Sequence, residues 1–328
     1  MGFSEIIGHH KQVETLRQRL ITGRLHHAYL FVGPEGVGKR TLAMALAQAL
    51  HCARQAGDFC GQCPNCVAIQ NNNHPDVRVI GPLMGKKEIS IQQVREIEKE
   101  LIYRSFSSGK KVAILDPATL MNWPAQNALL KTLEEPPQNC LLILIAARGG
   151  RLLPTVRSRC LRLSFASLSR HAVTGFLTSK AGKTAEEAEF LAALSQGSLA
   201  TAKNIEQEGL LEGRRSWLTL LATLTAGNYR AGIEAAEALA GNREDALKFL
   251  QWAGSWYRDL LTQALTGDSH QVMNVDMTSQ IDQQLTQADI PSLLSLFAKT
   301  VKAAERIHRN INRRMVIEEF LMAVVERG

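Results

Sequence analysis

The sequence predicts an α/β domain built on a parallel sheet, followed by a second half made only of helices. Three observations carry that prediction. Runs that are apolar almost throughout, at residues 28–32, 111–115 and 140–147, alternate with segments of helical period. Strands read this way when crossover helices cover both faces of a parallel sheet. The stretch Leu30-Phe31-Val32-Gly33-Pro34-Glu35-Gly36-Val37-Gly38-Lys39-Arg40-Thr41 then has the order strand, glycine loop, helix. Beyond Ser167, strand-like runs vanish and Ala- and Leu-rich helical segments continue to the end.

The glycine loop has the build of a phosphate site. Glycines let backbone N–H groups turn inward around a phosphate, and the following helix adds its positive end. Lys39 would reach the outer phosphates, and the next residue should be a Ser or Thr whose hydroxyl holds Mg²⁺. Here it is Arg40. Thr41 does not replace it, because one helical step turns a side chain by about 100°.

A chain of 328 residues is long enough for two or three domains, and 45% apolar content is that of a globular protein. It contains no run of about 18 apolar residues, which speaks against a membrane-spanning helix. Residues 1–10 lack the basic start and apolar core of a signal peptide, so a cytoplasmic location is expected. Net charge is +7, but residues 1–165 carry 21 Lys+Arg against 12 Asp+Glu and the remainder 17 against 19. The basic first half is compatible with a polyanion nearby and equally with a surface kept soluble.

Residues 6–22 have helical spacing through Val13, Leu16 and Leu20 and stop at Gly23. His26 and His27 run into the first strand, where neighbours face opposite sides, which argues against a shared metal. After the loop helix come Cys52, Cys60, Cys63 and Cys66, spaced Cys-x7-Cys-x2-Cys-x2-Cys. In a cytosolic chain, thiolates this close read as a structural Zn²⁺ site. Gly57, Gly61 and Pro64 supply the turns such a knuckle needs. Cys140 and Cys160 read as structural.

Residues 71–76 are turn material, 77–80 a short strand and 91–101 a helix. The strand at 111–116 ends in Asp116, where phosphate-loop ATPases place a metal-orienting acid with a Glu beside it to polarise water. Here the neighbour is Pro117, which cannot act as a base. The helix at 125–133 is closed by Glu134-Glu135-Pro136-Pro137. A buried strand follows at 140–147, then a basic loop over 148–162 containing Ser158-Arg159-Cys160, and a short strand at 161–165. In the helical half, Gly197-Ser198 and Gly241-Asn242 mark breaks, Trp252 and Trp256 read as core, and further helices open at 289–291 and near Asn312.

The glycine loop, the four cysteines, Asn127-Ala128-Leu129-Leu130-Lys131-Thr132-Leu133-Glu134-Glu135-Pro136-Pro137 and Ser158-Arg159-Cys160 occur together in this order. In these motifs, which span residues 33–160, the chain resembles bacterial clamp-loader subunits. Those are AAA+ proteins of the DNA polymerase III holoenzyme that open the ring-shaped sliding clamp and place it on primed DNA. The resemblance implies an AAA+ RecA-like domain over 1–166 with a zinc knuckle at 52–66, a helical lid over 167–206 and an oligomerising helical collar over 207–328.

The departures from the family are informative. Its ATP-hydrolysing motor subunits have Thr where this chain has Arg40, and Asp-Glu where it has Asp116-Pro117. They end the sensor strand in Thr, against Ala146-Ala147 here, and carry Gly-Ser-x-Arg in the lid, against Gly197-Ser198-Leu199-Ala200. Arg159 is kept. The resemblance thus implies a subunit without an intact ATPase site that donates Arg159 in trans to a neighbour's ATP. Gly33, Gly36, Gly38 and Lys39 would form a degenerate nucleotide site, with binding of ATP or ADP left open. Implied partners are motor subunits and the delta subunit in a hetero-oligomer, the sliding clamp indirectly, and primer–template DNA through the assembled complex. No membrane is implied. The alternative, a motor subunit with its own ATPase cycle, has Arg40 and Pro117 against it.

Overall fold

The structure, a computed structural model, describes residues 2–54, 57–103, 110–147, 149–207, 210–224, 226–286 and 288–326. Arg148, the first residue of the expected basic loop, lies outside these residues. The chain divides into two units, Met1–Ala172 with Gly197–Ala200, and Val173–Gln196 with Thr201–Gly328.

In the first unit the order is α1 (His10–Ile21), β1 (Ala28–Val32), α2 (Lys39–His51), α3 (Pro64–Gln70), β2 (Val77–Ile80), α4 (Ile91–Ile102), β3 (Lys111–Leu115), α5 (Trp123–Glu134), β4 (Cys140–Ala146), α6 (Pro154–Arg157) and β5 (Leu161–Ser164). Among the described residues the strands form one parallel sheet ordered β2-β3-β4-β1-β5. Side chains alternate between its faces. Tyr29, Phe31, Leu141, Ile143 and Ile145 join one core with α1, α2 and α3. Leu30, Val32, Leu142, Leu144 and Ala146 join the other with α4, α5 and α6. Every residue of β1, β3 and β4 is therefore buried, which is why these strands read as unbroken apolar runs.

Helix starts follow their caps. Ser90 and Gln93 form a capping box on α4, and Asn122 accepts from the Ala125 N–H ahead of Pro124 on α5. Two expectations are corrected. The first helix begins at His10 instead of residue 6, because Gly8 and His9 take left-handed conformations with φ of 65° and 55°. The basic loop holds a helical turn, α6, that starts at Pro154.

The second unit contains α7 (Arg170–Ala181) from Val173 onward, α8 (Ala185–Leu194), α9 (Leu199–Gln207) from Thr201 onward, α10 (Leu210–Thr223), α11 (Tyr229–Leu239), α12 (Arg243–Thr266), α13 (Thr278–Leu285), α14 (Ile290–His308) and α15 (Arg313–Val325). The core is aromatic around α12. Trp252 and Trp256 are fully buried and stacked at 5.9 Å, and Phe249 meets Phe320 of α15 edge-on at 6.0 Å. The expectation that these tryptophans are core residues is met.

A buried ion pair joins α10 to the turn before α13. Arg214 Nη1 and Nη2 donate to the two Asp276 carboxylate oxygens at 2.8 and 2.6 Å, and the guanidinium lies 4.4 Å from the Phe190 ring centre on α8. Both side chains are about 5% exposed or less. Removing one partner of such a pair strands a buried charge, at a cost of about 3–5 kcal/mol. Asp276→Ala is therefore expected to lower the unfolding midpoint of this unit strongly in urea. Tryptophan fluorescence reports it, since Trp217, Trp252 and Trp256 all lie here. An unchanged midpoint contradicts the expectation.

Candidate functional site

The loop between β1 and α2 sits at the carboxyl edge of the sheet, the usual ligand side of such folds. Its glycines are required by close approach. A Cβ on Gly33 would stand 2.2 Å from the Phe165 carbonyl oxygen, and one on Gly36, at φ 73°, would stand 2.2 Å from Ser198 Oγ. Gly38, at φ 106°, turns the chain into α2. The Gly36 carbonyl accepts from the Ala200 N–H at 3.3 Å, and the Leu168 N–H donates to Gly197. These bonds tie Gly197–Ala200 to the first unit, against the loop.

Lys39 does not reach outward. Its ammonium donates to the carbonyls of Gly33, at 2.6 Å, and of Pro34, and the residue is 6% exposed. Burial pushes its pKa below the usual range, while Asp116 and Glu35 pull it back up.

Arg40 Nη1 lies 3.7 Å from Asp116 Oδ2. A guanidinium thus faces the acid that would orient a metal. Burial raises the Asp116 pKa, against the pull of Arg40 and Lys39. Sequence reasoning found Arg40 and Asp116 separately and missed that they pair, and it missed how Gly197–Ala200 closes on Gly36.

Arg159, two residues past the end of α6, is one-third exposed and ion-paired. Its Nη2 lies 2.7 Å from Glu134 Oε1 at the end of α5. Its Nη1 donates to the Thr155 carbonyl at 3.0 Å. The Leu-Glu-Glu-Pro-Pro and Ser-Arg-Cys motifs therefore meet in one contact.

The four cysteines do come together. Cys52 ends α2, Cys60 sits in a turn beside Gly61 at φ 67°, Cys63 caps α3 and Cys66 lies in its first turn. Their sulfurs lie within 4.8 Å of one another. Tetrahedral zinc with bonds of about 2.3 Å needs sulfurs about 3.8 Å apart, so a small contraction fits the set to a metal ion such as zinc. The Gln48 side chain donates to the Cys66 carbonyl and Asn65 to the His51 carbonyl, bracing α2 against α3. The thiols divide in acidity. Burial opposes ionisation of Cys63, but hydrogen bonds from the Cys66 and Ala53 backbone and from the neighbouring thiols bring it down to about 6. Burial raises Cys66 to about 12.

His51, His74 and Asp76, all buried, also converge within 4.8 Å. The Asp76 N–H donates to His74 Nδ1 at 3.1 Å, which leaves a neutral His74 protonated at Nε2. His26 and His27 correct the expectation of opposite faces. They precede β1, their rings lie 4.2 Å apart, and each bonds a backbone carbonyl, of Ala28 and Leu133 respectively. Among the described residues no helix is long and apolar enough to cross a membrane.

A parallel sheet with a glycine loop and lysine after β1, and an acid after β3, defines a phosphate-loop-type α/β domain, here with Arg40 3.7 Å from that acid. Known proteins narrow the class. The family model of the DNA polymerase III delta subunit matches residues 8–169, and that of its C-terminal region matches 208–326. The chain is 32% identical to DNA polymerase III subunit delta' of Pseudomonas aeruginosa over 90% of each chain. It is 31% identical to that of Escherichia coli over 92% of this chain and 90% of the relative. It is also 29% identical to subunit tau/gamma of Haemophilus influenzae, over 85% of this chain and 42% of that protein. The chain belongs to the delta-prime family of DNA polymerase III subunits.

Proposed function

We propose that this chain is the stationary subunit of a clamp loader, which hydrolyses no ATP itself and donates Arg159 to the ATP of a neighbouring gamma/tau-type motor subunit. The carrying observation is the Arg40–Asp116 pair at 3.7 Å. In a working site Mg²⁺ would sit between the hydroxyl after the loop lysine and this acid. Here the protein's own guanidinium neutralises the acid. Lys39, spent on the carbonyls of Gly33 and Pro34, makes the loop a brace within the fold. Pro117 leaves no base for water.

Arg159 needs none of these parts. A guanidinium laid against a γ-phosphate stabilises the charge that develops in phosphoryl transfer, whichever chain supplies it. The four cysteines hold one structural zinc in this reading. Residues 1–166, 167–206 and 207–328 serve as nucleotide-binding-like domain, lid and collar. The hetero-oligomer also includes the delta subunit, and acts on the sliding clamp at primed DNA.

The test is phosphate release by the purified chain with MgATP. No multiple-turnover hydrolysis is expected, and Arg40→Thr alone is expected to stay inactive, because Pro117 remains. Sustained turnover that Lys39→Ala abolishes would instead establish a motor subunit.

A further inference from the structure

Arg159 is held by a carboxylate that runs against the preference of its own helix. Glu134 is the last residue of α5, and Glu135 follows it as the cap. At a helix C-terminus the unpaired carbonyls present the negative end of the dipole, so carboxylates there are disfavoured. A residue that breaks a local rule usually answers to a partner elsewhere in the fold. The partner is Arg159, with Nη2 2.7 Å from Glu134 Oε1.

Among the described residues the other contacts of the guanidinium are its Nη1 bonds to the Thr155 carbonyl at 3.0 Å and to Ser158 Oγ at 3.4 Å. Three contacts use at most three of the five N–H donors of an arginine. Among the described residues the others meet no acceptor, and the side chain remains 35% exposed. The arginine is therefore fixed in place without being used up.

We infer that Glu134 is a positioning residue for Arg159, an inference that rests on the in-trans role proposed above. Together with the Thr155 carbonyl, the carboxylate holds the guanidinium in one rotamer before a neighbour's nucleotide arrives. Rotamer freedom is then lost on folding and not at the phosphate, where it would weigh against the reaction. The terminal phosphate of ATP then takes the free donors while Glu134 and the Thr155 carbonyl keep the group in that rotamer.

The test uses the complex reconstituted with its ATP-hydrolysing subunits. Glu134→Gln keeps shape and removes charge. Exposed ion pairs have modest worth, so kcat for DNA-stimulated hydrolysis at the affected site is expected to fall about two- to fivefold. KM for ATP should stay the same. Glu134→Asp should restore part of the loss, and Glu134→Gln combined with Arg159→Ala should be no worse than Arg159→Ala alone. On the chain by itself, nitrogen NMR should show slow rotation of the Arg159 guanidinium in the wild type and fast rotation in Glu134→Gln.

If Arg159→Ala lowers kcat while Glu134→Gln changes neither kcat nor guanidinium rotation, the positioning role is overturned and the donor role stands. Losses that add in the double variant overturn it as well, since Glu134 would then act elsewhere. If Arg159→Ala has no effect, both readings fall together.

Discussion

Arg159→Ala is expected to leave the chain folded and able to join its complex, while DNA-stimulated ATP hydrolysis drops and clamp loading drops further. The stability side is small. Glu134 and Arg159 are 51% and 35% exposed, and pairs of that kind contribute about 0.2–1 kcal/mol. In the proposed in-trans role the kinetic side is large, because an arginine finger accelerates hydrolysis about 10³–10⁵-fold in phosphate-loop systems. One site of several is touched, so total hydrolysis falls in part. Loading needs the sites to act together and suffers more. Arg159→Lys should rescue poorly, since an ammonium cannot reproduce the planar fork. Gel filtration checks assembly, and phosphate release and clamp loading read the rest. Normal loading by an assembled Arg159→Ala complex would reduce Arg159 to a surface residue paired with Glu134.

With the proposed zinc on Cys52, Cys60, Cys63 and Cys66, stripping it is expected to unfold the knuckle and leave the sheet intact. Structural zinc sites bind with about 10–16 kcal/mol in finger-type peptides, and that free energy is folding free energy. Cys63 and Cys66 are 1% and 0% exposed, so without an ion the site must bury thiols that share their protons. The sheet does not depend on them, since β1, β3 and β4 are enclosed by cores on both faces. Protein purified without added zinc should carry one metal per chain. After chelation, protease should cut between Cys52 and Pro64 while the rest resists. Absence of stoichiometric metal from freshly purified protein would refute the site.

Arg40 and Pro117 are each legible as single letters at positions where a phosphate-loop ATPase needs a hydroxyl and a base. The cysteine spacing, the unbroken apolar strands and the loss of strand patterning after Ser167 are likewise local, and each led to the element the structure contains. Local patterns carry such information because burial on both faces, capping and ligand reach act over a few residues. Contacts between elements have no such signature. Arg40 meets Asp116 because β1 and β3 flank β4, and strand order is invisible to periodicity. His26 and His27 face each other because the strand starts after them. Gly36 is covered because Gly197–Ala200 folds back onto the first unit. Glu134 was legible only as part of the stretch that closes its helix, and its pairing became visible when α5 and α6 set it beside Arg159. The sequence by itself thus determined the elements, the cysteine set and the residues, Arg40 and Pro117, that stand beside the loop lysine and the strand acid. Only the tertiary structure decided which charges neutralise one another, because that depends on which chain segments the sheet makes neighbours.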